Sequence, residues 1–505
     1  MNIATLLELP SLLAGDYPAV VEGGRSLSYA ELASRAAATA EFLTASGIGR
    51  GDVVGYLGAN HLPFVSAAMG SAAIGACLAA LNYRAGPEDL RHLLVDSAVR
   101  LLVLDTGAAP GAADVAATLG VPVVTLDRLA EIEASAPSRG LEVTVATEEA
   151  DPAVLIYTSG TTARAKGVAL SHGALTEYVL ARTDAADGTD VGRTLLSVPL
   201  FHVAGISTLL ASLYGGRTVV LEPRFEPAEW LALVARHRVT HAFLVPTMLA
   251  KLLDSAAFAR ADLSSLRSIS YGAAPMPPTL LHRVVAAFPP EVGFSGAYGL
   301  SESTSTVAVL DEDDHRRFMA ARTPQDAELV RSAGRPVPDV RIEILDPDGA
   351  PLGPDRAGLI AIVSRRNVQT YWTAGERAAA SPAETRLVTG DLGHLDQRGY
   401  LFITGRQSDL IIRGGENISP LEVENAVLGD SRVADCAVVG LPDESWGEIV
   451  AAFVVLRDPG TDFGLGDAVA ACAGLTRNKR PERLVVVEEL PRTTTGKLLR
   501  RALTA

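Results

Sequence analysis

The stretch VLIYTSGTTARAKGV, residues 154–168, runs from four apolar or aromatic residues into Thr158, Ser159, Gly160, Thr161, Thr162 and, after a short gap, Lys166 and Gly167. It reads as a buried strand that opens into a hydroxyl- and glycine-rich loop and returns through a lysine. Backbone N–H groups and hydroxyls of such a loop donate to phosphate oxygens, and the lysine adds a point charge. The spacing is not that of a Walker A loop, because G-x-x-x-x-G-K-[ST] has no match here. Taken alone, the loop fits a polar turn as well as it fits a phosphate site.

Outward from this loop, short β-branched runs alternate with Ala/Leu-rich helical stretches. Residues 53–57, 101–104, 121–126 and 218–221 read as buried strands, and 29–46, 87–97 and 227–237 as helices. The alternation predicts an α/β protein with largely parallel sheets. Ser28 and Glu31 form a capping box for the first helix, and Gly47 stands where that helix can end left-handed. Residues 53–83 carry no Asp, Glu, Lys or Arg, and 64–81 is long enough to raise a membrane helix. Its Ala, Gly and Ser content and the preceding Leu62–Pro63 favour a buried core helix instead.

The 505 residues allow two to four structural units. Near 405–409 the pattern changes. GDLGHLDQRGYLFITGR, residues 390–406, reads as a hairpin turning at Asp396–Gly399, and a Gly414–Gly415 break follows. The expected division is 1–407 and 408–505. Net charge is −15, which disfavours a general nucleic-acid binder. Eight Lys/Arg against three Asp/Glu in the last thirty residues give a local 8 − 3 = +5, either a solvated face or a basic element that meets phosphates. Cys77, Cys436 and Cys472 are too few and too scattered for a disulfide framework or a cysteine zinc site, and the N-terminus lacks a basic export signal. A cytoplasmic protein without a membrane span is expected.

Three more segments carry chemistry. Tyr271–Gly272–Ala273–Ala274 with Gly296–Ala297–Tyr298–Gly299–Leu300–Ser301–Glu302 offers small residues for close backbone approach, an aromatic face and a carboxylate for Mg²⁺. Thr389–Gly390–Asp391 with Gly405–Arg406 places an aspartate at a strand end, suited to vicinal hydroxyls. Pro491–Arg492–Thr493–Thr494–Thr495–Gly496–Lys497 displays a lysine beside a glycine. Each also has a plain reading, as a packed turn, a turn aspartate or a surface lysine.

Together and in this order the segments resemble one family, the acyl-adenylate-forming ligases, over nearly the whole chain. YTSGTTARAKGV resembles its phosphate loop, and SVPLFHVAG, YGLSE, TGDLGHLDQRGYLFITGR and PRTTTGK its later motifs; IIRGGENISPLEVE is most similar to the coenzyme A ligase branch. The resemblance implies a large N-terminal part of stacked αβαβα sheets with a distorted β-barrel, and a small mobile α+β C-terminal domain. It implies ATP-dependent conversion of a carboxylic acid to an acyl-adenylate with release of pyrophosphate, then transfer to the thiol of coenzyme A with release of AMP. ATP, Mg²⁺ and coenzyme A are the implied cofactors and co-substrates.

Carried over by motif, Thr158, Ser159, Gly160, Thr161, Thr162, Lys166 and Ser301 would face the phosphates, and Glu302 would bind Mg²⁺. Gly272, Ala273, Ala274, Tyr298 and Gly299 would take adenine, and Asp391 and Arg406 ribose. Lys497 would reach the substrate carboxylate and the α-phosphate, where a unit-charge contact at about 4 Å is worth roughly 4 kcal/mol before desolvation at an effective dielectric near 20. Ser408 would be the hinge, with Gly415 and Glu416 facing the site during thioester formation. Phe201, Val203, Gly205, Val245 and Thr247 would line the acyl pocket, with His202 orienting the acid or gating it. These segments hold no Arg or Lys, so a fatty or aromatic monocarboxylate is expected over a dicarboxylate.

Two positions depart from the family pattern: Ala163 and Ala165 replace a Gly and a Pro of the phosphate loop, implying a looser loop, and Gly358–Leu359–Ile360 alters a G-E-I strand. Alternatives are transfer to a separate carrier protein, activation of another oxyanion such as nitrite, and non-catalytic nucleotide binding. Each leaves the oligomeric state open.

Overall fold

In the computed structural model, residues 1–158, 164–368, 370–373, 383–492 and 498–503 are described. They form four sheets. A six-stranded sheet runs Val123–Thr125, Val99–Leu104, Val53–Leu57, Cys77–Leu81, Pro152–Thr158, Lys166–Ser171; all pairs are parallel except the last, an antiparallel hairpin. A nine-stranded sheet has a parallel middle, Gly293–Leu300, Ser268–Gly272, His241–Leu244, Arg193–Leu196, Thr218–Leu221 and Pro18–Glu22, with antiparallel strands at both ends. Its Pro18–Glu22 strand lies parallel to Thr218–Leu221, with Val20 opposite Val219.

The third sheet is antiparallel and curled, from Arg341–Leu345 through Gly358–Ser364 and Thr385–Leu395 to Leu401–Arg406. Its last hairpin turns where expected: Asp396 Oδ1 accepts from the N–H groups of Arg398 and Tyr400, and Gly399 has φ +80°. The fourth sheet joins Glu416–Ile418, Ile411–Arg413, Gly447–Leu456, Val433–Asp443 and Arg483–Val486, around a core that includes Ile411, Ile418, Val438 and Val454. Gly414 and Gly415, both at positive φ, make its first hairpin turn. The α/β class, the stacked and curled sheets and the C-terminal α+β part are as expected.

Local signals held closely. The first long helix is Tyr29–Ala45, its capping box is formed on both sides, and Gly47 has φ +77°. The apolar run 121–126, read as strand, is strand only at Val123–Thr125; Thr125 Oγ1 accepts from Arg128 N and caps a helix starting at Leu126. The charge-free stretch 64–81 is not one helix. A helix Leu62–Ala73 ends before Gly75 at φ +72°, and Cys77–Leu81 is a central strand. Among the described residues no helix is long and apolar enough to cross a membrane. Among the described residues, three basic side chains of the +5 tail pair with nearby carboxylates: Lys479 with Glu422, Arg492 with Asp435, and Arg500 with Glu424 and Asp409.

Small residues in 62–73 serve close helix packing. A Cβ on Gly70 would lie 2.7 Å from Ala36 O and 3.0 Å from Ala40 N in the Tyr29–Ala45 helix. Gly70→Val therefore has to push two helices apart, at a cost of about 1–3 kcal/mol. A lower urea midpoint for that variant, against no change for Gly86→Ala in open space, is the expected outcome.

Candidate active site

Because the middle strands of the nine-stranded sheet are parallel, their carboxyl ends share one edge, the place where α/β sheets bind ligands. There the chain delivers Phe201 and His202 after Arg193–Leu196, Val245 and Thr247 after His241–Leu244, Ala273 and Ala274 after Ser268–Gly272, and Ser301 and Glu302 after Gly293–Leu300. Gly272 is required by contact: a Cβ there would sit 2.4 Å from Ala297 O. Gly299 likewise meets Ser305 O. Ala273 holds φ +65°, a left-handed conformation that costs an L-residue about 1–2 kcal/mol.

Tyr298, Asp391 and Arg406 come together. The Tyr298 hydroxyl donates to Asp391 Oδ2 at 2.8 Å, and Arg406 Nε lies 3.3 Å from Asp391 Oδ1. Asp391 and Arg406 are cross-strand partners in the curled sheet, so that sheet brings the ribose candidates to the adenine candidates. Burial, with the Asp391 charge beside it, pushes the Tyr298 phenol well up and keeps it a donor.

Thr158 and Lys166 face each other across the hairpin, at the base of the candidate phosphate loop. Ser159, Gly160, Thr161 and Thr162, with Ala163, lie outside the described residues, as does Lys497. The Ala165 carbonyl meets His92 Nε2 at 3.2 Å. Lys166 Nζ stands 4.8 Å above the Tyr371 ring, and the Tyr371 hydroxyl donates to Glu302 Oε1 at 3.0 Å. Burial and the Glu302 charge push the Tyr371 phenol up to about 12. Glu302 Oε2 accepts no hydrogen bond among the described residues. A half-exposed carboxylate with one oxygen uncommitted suits Mg²⁺, which is commonly held by one or two carboxylates plus substrate phosphates.

In the acyl candidates, Phe201 is buried edge-on against Tyr83 at 5.7 Å, and His202 tilts on Phe201 at 4.5 Å. Gly205 lets the helix start against Pro199 O, 2.5 Å from where a Cβ would be. Val245 is buried in the same core as Phe201, while Val203 and Thr247 are half-buried. Ser408 is exposed and donates to Asp409. Gly415 has open space around it but a φ of +84° that strains a side chain, and Glu416 accepts from Asn478. The Gly414–Gly415 hairpin makes no hydrogen bond to Lys166 or Glu302 among the described residues.

Sequence reading missed three residues. Arg366 is fully buried; it donates to the carbonyls of Ser303 (3.0 Å), Thr304 (2.9 Å) and Thr306 (3.2 Å) and pairs with Asp339 at 2.6 Å. The turn it caps holds Thr304 and Ser305 at φ +51° and +79°, directly after Glu302. Trp372 docks on the hairpin that carries Lys166: its N–H donates to Gly167 O at 2.8 Å and its Nε1–H to Asp96 O at 3.0 Å. Tyr371 rides on that anchor. The only sequence signal was an aromatic pair after an Arg-Arg-Asn run, which has no periodicity to read.

The AMP-binding enzyme family matches residues 13–372, and the family of its C-terminal domain matches 422–497. The chain belongs to the AMP-binding enzyme family. Within it, the chain is 36% identical over 490 residues to a feruloyl-CoA synthase of an Amycolatopsis species, covering 95% of this chain and 94% of that one. It is 32% identical over 496 residues to the fatty acid–[acyl-carrier-protein] ligase ScoC of Streptomyces coeruleorubidus, covering 96% and 92%. The solved o-succinylbenzoate CoA synthetase of Bacillus subtilis, in complex with its acyl-adenylate intermediate, superposes with a TM-score of 0.83 at 30% identity over 98% of this chain and 97% of that one. These three relatives of the AMP-binding enzyme are named as acid–thiol ligases, the class its motifs imply.

Arg366 carries the testable consequence. Arg366→Met leaves Asp339 with less compensation and three carbonyls without their donor, a loss of about 3–5 kcal/mol. A clear drop in thermal midpoint is expected, and Asp339→Asn should recover part of it.

Proposed function

We propose that this protein is an AMP-forming acid–CoA ligase for an apolar aliphatic or aromatic monocarboxylate. One observation carries the reading: Lys166 and Glu302 meet on Tyr371, on the same strand-end edge as the Tyr298–Asp391–Arg406 cluster. That arrangement suits a nucleoside triphosphate, with its phosphates between Lys166, Ser301 and the 158–162 loop and its ribose on Asp391 and Arg406. Mg²⁺ held by Glu302 would neutralise phosphate charge.

The division of labour follows from charge. Lys166 and Lys497 offset the negative charge that develops as the acid's carboxylate attacks the α-phosphorus and pyrophosphate leaves. Phe201, Val203, Gly205, Val245 and Thr247 supply an apolar setting for the acyl chain, and His202 orients its carboxylate. The 408–505 part, hinged at Ser408, brings Lys497 for the first step and the Gly415–Glu416 turn for the second, in which a thiol displaces AMP. The three described cysteines are free and buried, which suits a cytoplasmic site. ScoC's carrier-protein specificity supports a second reading, transfer to a carrier protein.

Pyrophosphate release across a panel of fatty, cinnamic and indolic acids, with and without coenzyme A, tests the proposal. A coenzyme A thioester from at least one class is expected; adenylate without thioester transfers the acceptor role to a carrier. Separately, Lys497→Ala should cut acyl-adenylate formation by about 10²-fold or more. Given a synthetic acyl-adenylate, the same variant should still form thioester at close to the wild-type rate, while Gly415→Leu should show the reverse pattern. Equal loss of both steps in Lys497→Ala contradicts the two-orientation reading.

A further inference from the structure

Lys166 and Glu302 carry opposite charges and approach the same phosphate region, yet they form no ion pair with each other; an aromatic ring stands between them. The Tyr371 hydroxyl donates to Glu302 Oε1 at 3.0 Å, and the ring face holds Lys166 Nζ at 4.8 Å. The ring is itself held. Trp372, 7% exposed, fixes the next residue to the phosphate hairpin through two hydrogen bonds, from its backbone N–H to Gly167 O and from its indole to Asp96 O. Gly167 permits this approach, since a Cβ there would lie 2.8 Å from Trp372 Cβ. On the other side, Val368 N–H donates to Glu302 O at 2.8 Å. One short segment thus grips the hairpin bearing Lys166 and the turn bearing Glu302.

We propose that Tyr371 is a positioning residue that keeps Lys166 and Glu302 apart and oriented, so that phosphate and metal meet a preset pair. This rests on the reading that Lys166 takes phosphates and Glu302 takes Mg²⁺. Without the ring, ammonium and carboxylate are free to neutralise one another, and ATP with its metal then has to break that pair. With it, the ammonium sits on a quadrupole that yields readily to phosphate. The phenol, protonated near neutral pH, fixes one carboxylate oxygen and leaves Oε2 for the metal. Tyr371 touches neither reacting carbon nor phosphorus in this role; it sets the distance between two groups that do the binding.

Calorimetric titration of ATP into the full chain without any acid substrate, with and without Mg²⁺, separates the two ends of Tyr371. Tyr371→Phe keeps the ring and loses the hydroxyl. Its metal-free ATP affinity should stay within about twofold of wild type, while the gain in affinity on adding Mg²⁺ should shrink by about 3–10-fold, the scale of one hydrogen bond. Tyr371→Leu should also weaken metal-free ATP binding. Melting curves are expected to coincide, because the side chain is half-exposed. A full Mg²⁺ gain in Tyr371→Phe, alongside its loss in Glu302→Gln, overturns the positioning role and leaves Glu302 as the metal's carboxylate. A full gain in Glu302→Gln removes the metal assignment, and the proposal falls with it. Wild-type metal-free affinity in Tyr371→Leu also overturns it.

Discussion

The buried guanidinium of Arg366 is the contact on which the candidate site hangs. Its three carbonyl partners belong to a turn whose Thr304 and Ser305 adopt left-handed backbone, a geometry that leaves carbonyls without ladder partners. Non-glycine residues persist there only if something outweighs the strain, about 1–2 kcal/mol each. Arg366 does so from inside the protein, balanced by Asp339, which Arg182 also pairs. The turn immediately follows Glu302, so the arginine fixes where that carboxylate emerges. The Thr304 hydroxyl donates back to Arg366 O at 2.7 Å, so each segment holds the other in place.

From Arg366 the chain runs through Val368 to Tyr371 and Trp372, reaching Glu302 and then the hairpin that carries Lys166. The curled sheet therefore contributes twice: through Asp391 and Arg406 on its long hairpin, and through this strap leaving its Gly358–Ser364 strand. Three sheets built by distant parts of the sequence converge on one edge, and the bonds joining them are mostly backbone carbonyls met by side-chain or backbone N–H donors. Such contacts tolerate wide side-chain change, which accords with a shared fold at 30% identity.

Much of this was legible in the sequence. The capping box at Ser28 and Glu31, the strands at 53–57 and 218–221 and the Asp396–Gly399 turn are local, and local chemistry decided them. Motif order located the family and picked out Tyr298, Asp391 and Arg406, which the structure brings together. What escaped was non-local. Residues 64–81 read as one apolar unit because composition does not reveal that Gly75 turns left-handed to start a central strand. At 121–126, Thr125 is equally at home ending a strand or capping a helix, and the helix that begins at Leu126 took it. Arg366, Tyr371 and Trp372 act through contacts across the fold, and no spacing in the chain announces them.

The parallel pairing of Val20 with Val219 has a bearing on how the molecule is made. The hairpin of Pro18–Glu22 and Arg25–Ser28 is translated well before its parallel neighbour, and an isolated two-stranded hairpin is marginal in water. Its permanent neighbour, Thr218–Leu221, follows nearly 200 residues later, about 10–40 s at 5–20 residues per second. Over that interval the strands of the six-stranded sheet, complete by Ser171, can form without it. For that interval the nascent chain carries an open β-edge on this hairpin, secured only once Thr218–Leu221 has been made.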